Sequence, residues 1–246
     1  MTPAFEAALW GGLAGGALLV GAAVGYLMQV PRIVSAGVMA FGVGVLVACL
    51  AFNLMPEAIT LGGVWPASLG FVLGGGLFAG ANAVLARNGA KHRKRAKGLG
   101  AGATASLAIA LGALLDGIPE AAAIGTSLLD GHGVALVTVL AVFISNLPEG
   151  LSSTVGMKTA GLSGRFIFGL WGSIMVACVI SAWLGYVLIG GFGPFWVAIA
   201  VASAAGAIFV MIIDTMIPEA FEEIHAFSGP IAAAGFLLTF ISSQTL

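Results

Sequence analysis

Charge is what this sequence has least of: 8% of its 246 residues are Asp, Glu, Lys or Arg, against 60% hydrophobic residues. Soluble domains carry about 25% charged residues, so a chain this poor in charge cannot solvate the surface of a soluble domain of its length. With a mean hydropathy of +1.11 it reads as a polytopic membrane protein. Histidine is scarce as well. His92, His132 and His225 all fall in loops and read as surface residues, with His132 beside Asp130 as a candidate collector of ions at an outer mouth. The two cysteines, Cys49 and Cys178, lie within apolar stretches and read as small buried hydrophobes. A disulfide or a thiolate ligand is the alternative, and neither reading decides the redox compartment. No H-E-x-x-H, G-x-S-x-G or phosphate-cradling loop is present, which leaves an enzyme, or a catalytic cofactor, without support.

What is there is a series of long apolar runs. A membrane helix takes roughly 20 apolar residues, and about eight such spans are expected, at 6–28, 33–59, 66–85, 99–128, 134–157, 166–189, 195–219 and 230–241. No basic segment precedes the first, so it is expected to be a retained span rather than a cleaved signal peptide. All nine Lys and Arg residues fall after spans one, three and five: Arg32, then the six in the loop 87–97, then Lys158 and Arg165. Cytoplasmic loops are the ones enriched in Lys and Arg. The loop 87–97 is therefore expected in the cytoplasm and both termini outside, in a multi-pass protein of the cell membrane. A basic loop beside membrane spans is the ordinary topogenic signal, and no nucleic-acid partner is expected.

One pattern recurs within these spans. Pro-Glu occurs as Pro56-Glu57, Pro119-Glu120, Pro148-Glu149 and Pro218-Glu219, late in spans two, four, five and seven. In each copy the residue four before the glutamate bears oxygen: Asn53, Asp116, Ser145 and Thr215. Residues i and i+4 share a helical face, so each span presents two rungs of oxygen ligands. Each proline lacks an N–H, which frees the carbonyl one turn back (Phe52, Leu115, Ile144, Asp214) and tends to kink the helix.

The chain also repeats itself. Leu9-Trp10-Gly11 and Gly25-Tyr26 return as Leu170-Trp171-Gly172 and Gly185-Tyr186, and Pro56 returns as Pro218. Farther on, Pro66 and Gly70-Phe71 return as Pro230 and Gly235-Phe236. Spans one to three (about 5–88) thus match spans six to eight (about 166–246), with the central pair (about 99–158) between them. An odd offset of five spans inverts the second copy, and inverted repeats are the design of secondary transporters. The expected fold is an all-α transporter domain over 1–246, in a 3+2+3 arrangement.

Glu57, Asp116, Glu120, Glu149, Asp214 and Glu219 are acids at or near span interiors, and no Lys or Arg lies within the spans to compensate them. An isolated ion there costs about 2.5–3.5 kcal/mol, so protons or bound cations must supply the balance. Asp116, Glu120, Ser145, Asn146 and Glu149 offer carboxylate, hydroxyl and amide oxygens from two consecutive spans, as divalent cations require. Asn53, Glu57, Asp214 and Glu219 would line the route or form an outer shell. A proton-coupled carrier of another small cation is the alternative. The aromatics beside the motifs, Phe52 and Phe143 among them, are too few to build a cage for an organic cation.

Over essentially its full length the chain resembles the ZIP (Zrt/Irt-like) family of divalent metal transporters. The resemblance rests on Asp116-Gly117-Ile118-Pro119-Glu120-Ala121 and Ser145-Asn146-Leu147-Pro148-Glu149-Gly150, which are similar to the family's His-Asn-x-Pro-Glu-Gly-like motifs on spans four and five. Asn53 to Glu57 and Ile217 to Glu219 resemble its motifs on spans two and seven. It implies a two-metal site on spans four and five, transport of Zn, Mn, Fe or Cd as substrate into the cytoplasm, and commonly a homodimer. Asp116 stands where the family has histidine, Gly117 where it has asparagine, and Ser145 leads the second motif. Oxygen donors without imidazole lean toward harder ions such as Mn(II), or toward broad selectivity.

Overall fold

The structure, a computed structural model, describes residues 2–85, 103–129 and 135–245. The loop 87–97, with His92, and the Asp130 to Gly133 turn, with His132, lie outside the described residues. The described residues are almost all helical, joined by short links, with no strand among them. Six stretches of them are long and apolar enough to cross a membrane.

The first helix, α1 (Pro3–Leu27), opens on a proline at its first position, where the missing N–H costs nothing. Its 25 residues rise about 37 Å, more than a hydrocarbon core of about 30 Å. After Pro31, α2 (Arg32–Cys49) runs into a π-helical turn at Leu50–Leu54 and continues as α3 (Met55–Gly62). Gly63, at φ +89°, ends α3 in a backbone conformation that suits only glycine, and α4 (Val64–Leu85) follows. The central pair is α5 (Ala103–Thr126) and α6 (Leu136–Thr159). Ser163 then caps α7 (Gly164–Ile189) by accepting a hydrogen bond from the Phe166 amide at 3.3 Å. The last stretch is α8 (Pro194–Met211), a second π-turn at Ile212–Met216, α9 (Ile217–Ile224) and α10 (Ser228–Thr245). The chain turns between α9 and α10 at His225, with φ +39°.

The four prolines do not behave alike. Both π-turns stop just short of a proline, Pro56 or Pro218, and in each the amide after the turn reaches back five residues, Met55 to Leu50 and Ile217 to Ile212. Widening the turn absorbs the register that the missing proline donor disrupts. Pro119 and Pro148 remain inside continuous α-helix instead. At Pro148 the neighbouring backbone leaves little radial room. Beside Pro148, a Cβ on Gly150 would run into the Leu18 carbonyl of α1, and one on Gly21 into the Leu147 carbonyl. Backbones in contact leave no space for a wider turn.

The helices sort into two groups, each with its own buried apolar cluster. One is built on α1, α5, α6 and α7 around Leu18, Met157, Ile167 and Trp171. The other is built on α2, α3, α4, α8, α9 and α10 around Leu46, Leu54, Ile208 and Met211. They meet where α2 packs on α6 and α5 on α8.

Glycine sets the closest crossings, as expected where lipid supplies no hydrophobic drive and helices associate by packing. Gly44 of α2 abuts the Ala232 carbonyl of α10, and Gly206 of α8 abuts the Phe71 carbonyl of α4. Gly25 of α1 abuts Leu151 of α6, and Gly185 of α7 abuts Ala122 of α5.

Candidate metal site between the central helices

The two central motifs come together. Asp116 and Glu120 on α5 are each 1% exposed, and on α6 Ser145 is buried and Glu149 is 7% exposed. Both rungs of both oxygen ladders therefore share a face, as the i, i+4 spacing requires, and packing turns that face into the protein. Ser145 Oγ lies 3.1 Å from Glu120 Oε1 and 2.9 Å from the Val142 carbonyl of its own helix, so a single hydroxyl proton serves two acceptors. Gly42 of α2 lets that helix approach to van der Waals contact with the Ser145 backbone.

Asn146 is also buried, but a quarter-turn along the helix from Ser145 it faces α1. Its Nδ2 donates to the Ala14 carbonyl at 3.1 Å, and Oδ1 is the atom with which this amide could coordinate a cation. Gly117 offers no side-chain donor. Its lack of a side chain brings α7 close, with Cys178 Sγ 3.9 Å from the Gly117 carbonyl.

The motifs in the π-turn helices sit differently. Asn53 and Glu57 are half-buried, as are Thr215 and Glu219. Glu219 Oε1 accepts from Ser152 Oγ of α6 at 3.5 Å, so it faces the helix that carries Ser145 and Glu149. Asp214 is exposed on the outer surface of the bundle, where Asn82 Nδ2 of α4 donates to it at 3.2 Å. His225, at the turn after α9, stacks edge-on against Phe221.

Several supporting residues carry no motif and escaped the sequence reading. Ser181 of α7 donates to the Ile118 carbonyl at 2.8 Å, holding the α5 backbone between Asp116 and Glu120. Ser152 continues the polar face of α6 toward Glu219, at i+7 from Ser145. The one signal available was a hydroxyl in an otherwise apolar span. Cys49 Sγ donates to Thr138 Oγ1 at 3.5 Å, one polar contact between α2 and α6.

Among the described residues no three His, Cys, Asp or Glu side chains converge closely enough to hold a metal by themselves. The candidate donors are instead mixed, with carboxylates on Asp116, Glu120 and Glu149, the Ser145 hydroxyl and the Asn146 amide oxygen, and of these Ser145 and Glu120 are in direct contact. Hard cations accept carboxylate, hydroxyl, amide and carbonyl oxygen interchangeably. The described Lys and Arg residues are Arg32, Lys158 and Arg165, all near helix ends, so no cationic side chain is built into the interior of a described helix. No family model matches this sequence, and no curated protein matches it.

Proposed function

We propose that this protein is a multi-pass carrier of divalent metal cations of the ZIP kind, with its transport site between α5 and α6. The observation that carries the reading is the Ser145–Glu120 hydrogen bond, which joins two Pro-Glu motifs from consecutive helices in one buried place. Acids gathered inside apolar helices, with no Lys or Arg in those interiors, suit a cationic substrate that supplies the missing charge. Asp116, Glu120, Ser145 and Glu149 would ligate the metal, with Asn146 contributing through Oδ1. Glu120 and Glu149 are the bridging pair if two ions bind side by side.

The architecture proposed is eight spans in a 3+2+3 inverted repeat. Counting α5 as a span and dividing the last long stretch at His225 brings the six stretches to eight. Recurrent structure supports the repeat. The π-turns at Leu50–Leu54 and Ile212–Met216 stand 162 residues apart, and so do the close-contact glycines Gly44 and Gly206. Gly25 and Gly185 make their contacts at residues 151 and 122, which are separated by 29 positions, the same separation as Glu149 and Glu120. A pseudo-twofold that exchanges α1 with α7 and α6 with α5 accounts for both.

Transport would proceed by movement of one helix group against the other, with metal entering the cytoplasm as the resemblance implies. Glu219, reached from Ser152, would lie on the path between the central site and one face. Glu57 would tune the rate or exchange protons. Arg32 meets Glu223 at 3.8 Å, which supports a common face for the links after spans one and seven, the face assigned here to the cytoplasm. Asp214, to which Asn82 donates at 3.2 Å, would line an outer part of the route.

The test is metal uptake into proteoliposomes, with Zn(II), Mn(II), Cd(II) and Fe(II) compared and binding followed by calorimetry. Glu120→Ala and Glu149→Ala should each abolish uptake while the protein still assembles in the membrane. Unaltered uptake in either variant removes the two-helix site.

A further inference from the structure

A cavity of about 610 Å³ opens between the α1–α2 link and the end of α6. Its polar wall is Gln29, Arg32, Lys158 and Thr159, its apolar wall includes Val30 and Val155, and among the described residues no acid lines it. We propose that this cavity binds the phosphodiester headgroup of an anionic phospholipid. The inference is independent of the metal site: it needs only that the helices span a membrane.

Charge and position both select this occupant. Two cations face one cavity of a size ordinary for small-molecule sites. Each has already spent part of its donor capacity in fixing its own position. Lys158 Nζ donates to the Tyr26 carbonyl at 2.6 Å and lies 5.1 Å from the Tyr26 ring centre, which holds the ammonium at the cavity rim. Arg32 meets Glu223, which is not part of the lining, at 3.8 Å through Nη1. An ammonium has three N–H donors and a guanidinium five, so both retain donors for phosphate oxygens. The cavity also sits where α1 ends at Leu27, α2 begins at Arg32 and α6 ends at Thr159, the level of lipid headgroups for helices of this length. Leu27, Met28 and Ile33 are exposed around it and offer acyl chains an apolar surface. A soluble phosphate would use the cations and leave that surface bare.

The experiment is native mass spectrometry of the full-length protein, delipidated and then titrated with phosphatidylglycerol or phosphatidylcholine. Retention of phosphatidylglycerol should exceed that of phosphatidylcholine. A cation near a membrane surface contributes about fivefold to binding of anionic lipid, so Arg32→Gln and Lys158→Gln should each lower retention about fivefold. Glu223→Gln should leave retention unchanged or raise it. Arg32→Lys with Lys158→Arg keeps the charges and should retain the lipid, which separates loss of binding from loss of fold. Equal retention of both lipids, or full retention of phosphatidylglycerol in the folded Gln variants, overturns the proposal. So does complete displacement of phosphatidylglycerol by excess inorganic phosphate, which would give the cavity to a soluble anion.

Discussion

Ser145 Oγ stands 3.1 Å from Glu120 Oε1, and that one contact ties the Pro-Glu motif of α6 to the Pro-Glu motif of α5. Hydrogen bonds to charged groups are worth about 1.5–3 kcal/mol. Ser145→Ala deletes both this bond and a candidate oxygen ligand without adding bulk. Metal affinity is therefore predicted to fall by roughly tenfold or more, by the same energies. Calorimetric titration of the purified protein checks it, and an unchanged affinity would leave Ser145 as a helix-packing residue only.

In the proposed site Asp116 would supply a hard carboxylate, where imidazole would favour Zn(II) more strongly. Asp116→His is predicted to raise uptake of Zn(II) relative to Mn(II). Introduced histidine also titrates near pH 6.5 in its unperturbed form, against about 3.9 for Asp. The variant should thus lose metal on milder acidification than the parent does. Competitive uptake of the two metals across a pH series reads both effects, and a constant ratio at every pH would show that Asp116 does not ligate.

The glycine crossings yield a stability prediction with its own control. Gly21→Ala drives a Cβ into the Leu147 carbonyl, a backbone atom that cannot swing aside, whereas a Cβ on Gly16 of the same helix meets nothing within 4 Å. Overpacking costs about 1–3 kcal/mol, so Gly21→Ala should lower the melting temperature in detergent and Gly16→Ala should not. Equal melting of the two would mean that α1 and α6 are not in backbone contact.

Glu57 is half-buried and lies on the continuation of a π-turn, outside the pair of helices that carries the proposed donors. Glu57→Gln is predicted to alter the maximal rate or its pH dependence and to leave metal affinity unchanged. Transport kinetics and calorimetry on one preparation separate these effects. A drop in affinity would move Glu57 into the coordination shell.

Sidedness follows from the face shared by Arg32, Glu223 and Lys158. Single cysteines at Gln29 and Thr159 should react with an impermeant maleimide from the same side, and one at Gly191 from the opposite side. Cys49 and Cys178 are buried and should contribute little background. Reaction of all three introduced cysteines from one side would contradict the alternating spans.

Much of this molecule is local in origin and so was legible from its residues. Hydropathy marks a membrane helix wherever about 20 apolar residues run together, and α1, α6 and α7 begin and end within a few residues of the runs that announced them. The i, i+4 spacing likewise sufficed to put Asp116 with Glu120, and Ser145 with Glu149, on common faces, because that relation is internal to one helix. Which way a face turns is not internal to it. Asp214 and Glu219 belong to one motif, yet Asp214 is exposed beside Asn82 and Glu219 meets Ser152, because α4 and α6 approach that segment from different sides. Four prolines gave equal reason to expect disruption, and only Pro56 and Pro218 follow π-turns, since backbone contact with α1 leaves Pro148 no room to widen. Composition and helical period were enough to mark the apolar helices and the oxygens they carry. Which oxygens meet and which helices touch at glycine followed only from the packed structure, because those contacts lie between different helices, from 25 residues apart for Ser145 and Glu120 to more than a hundred for Asn146 and Ala14.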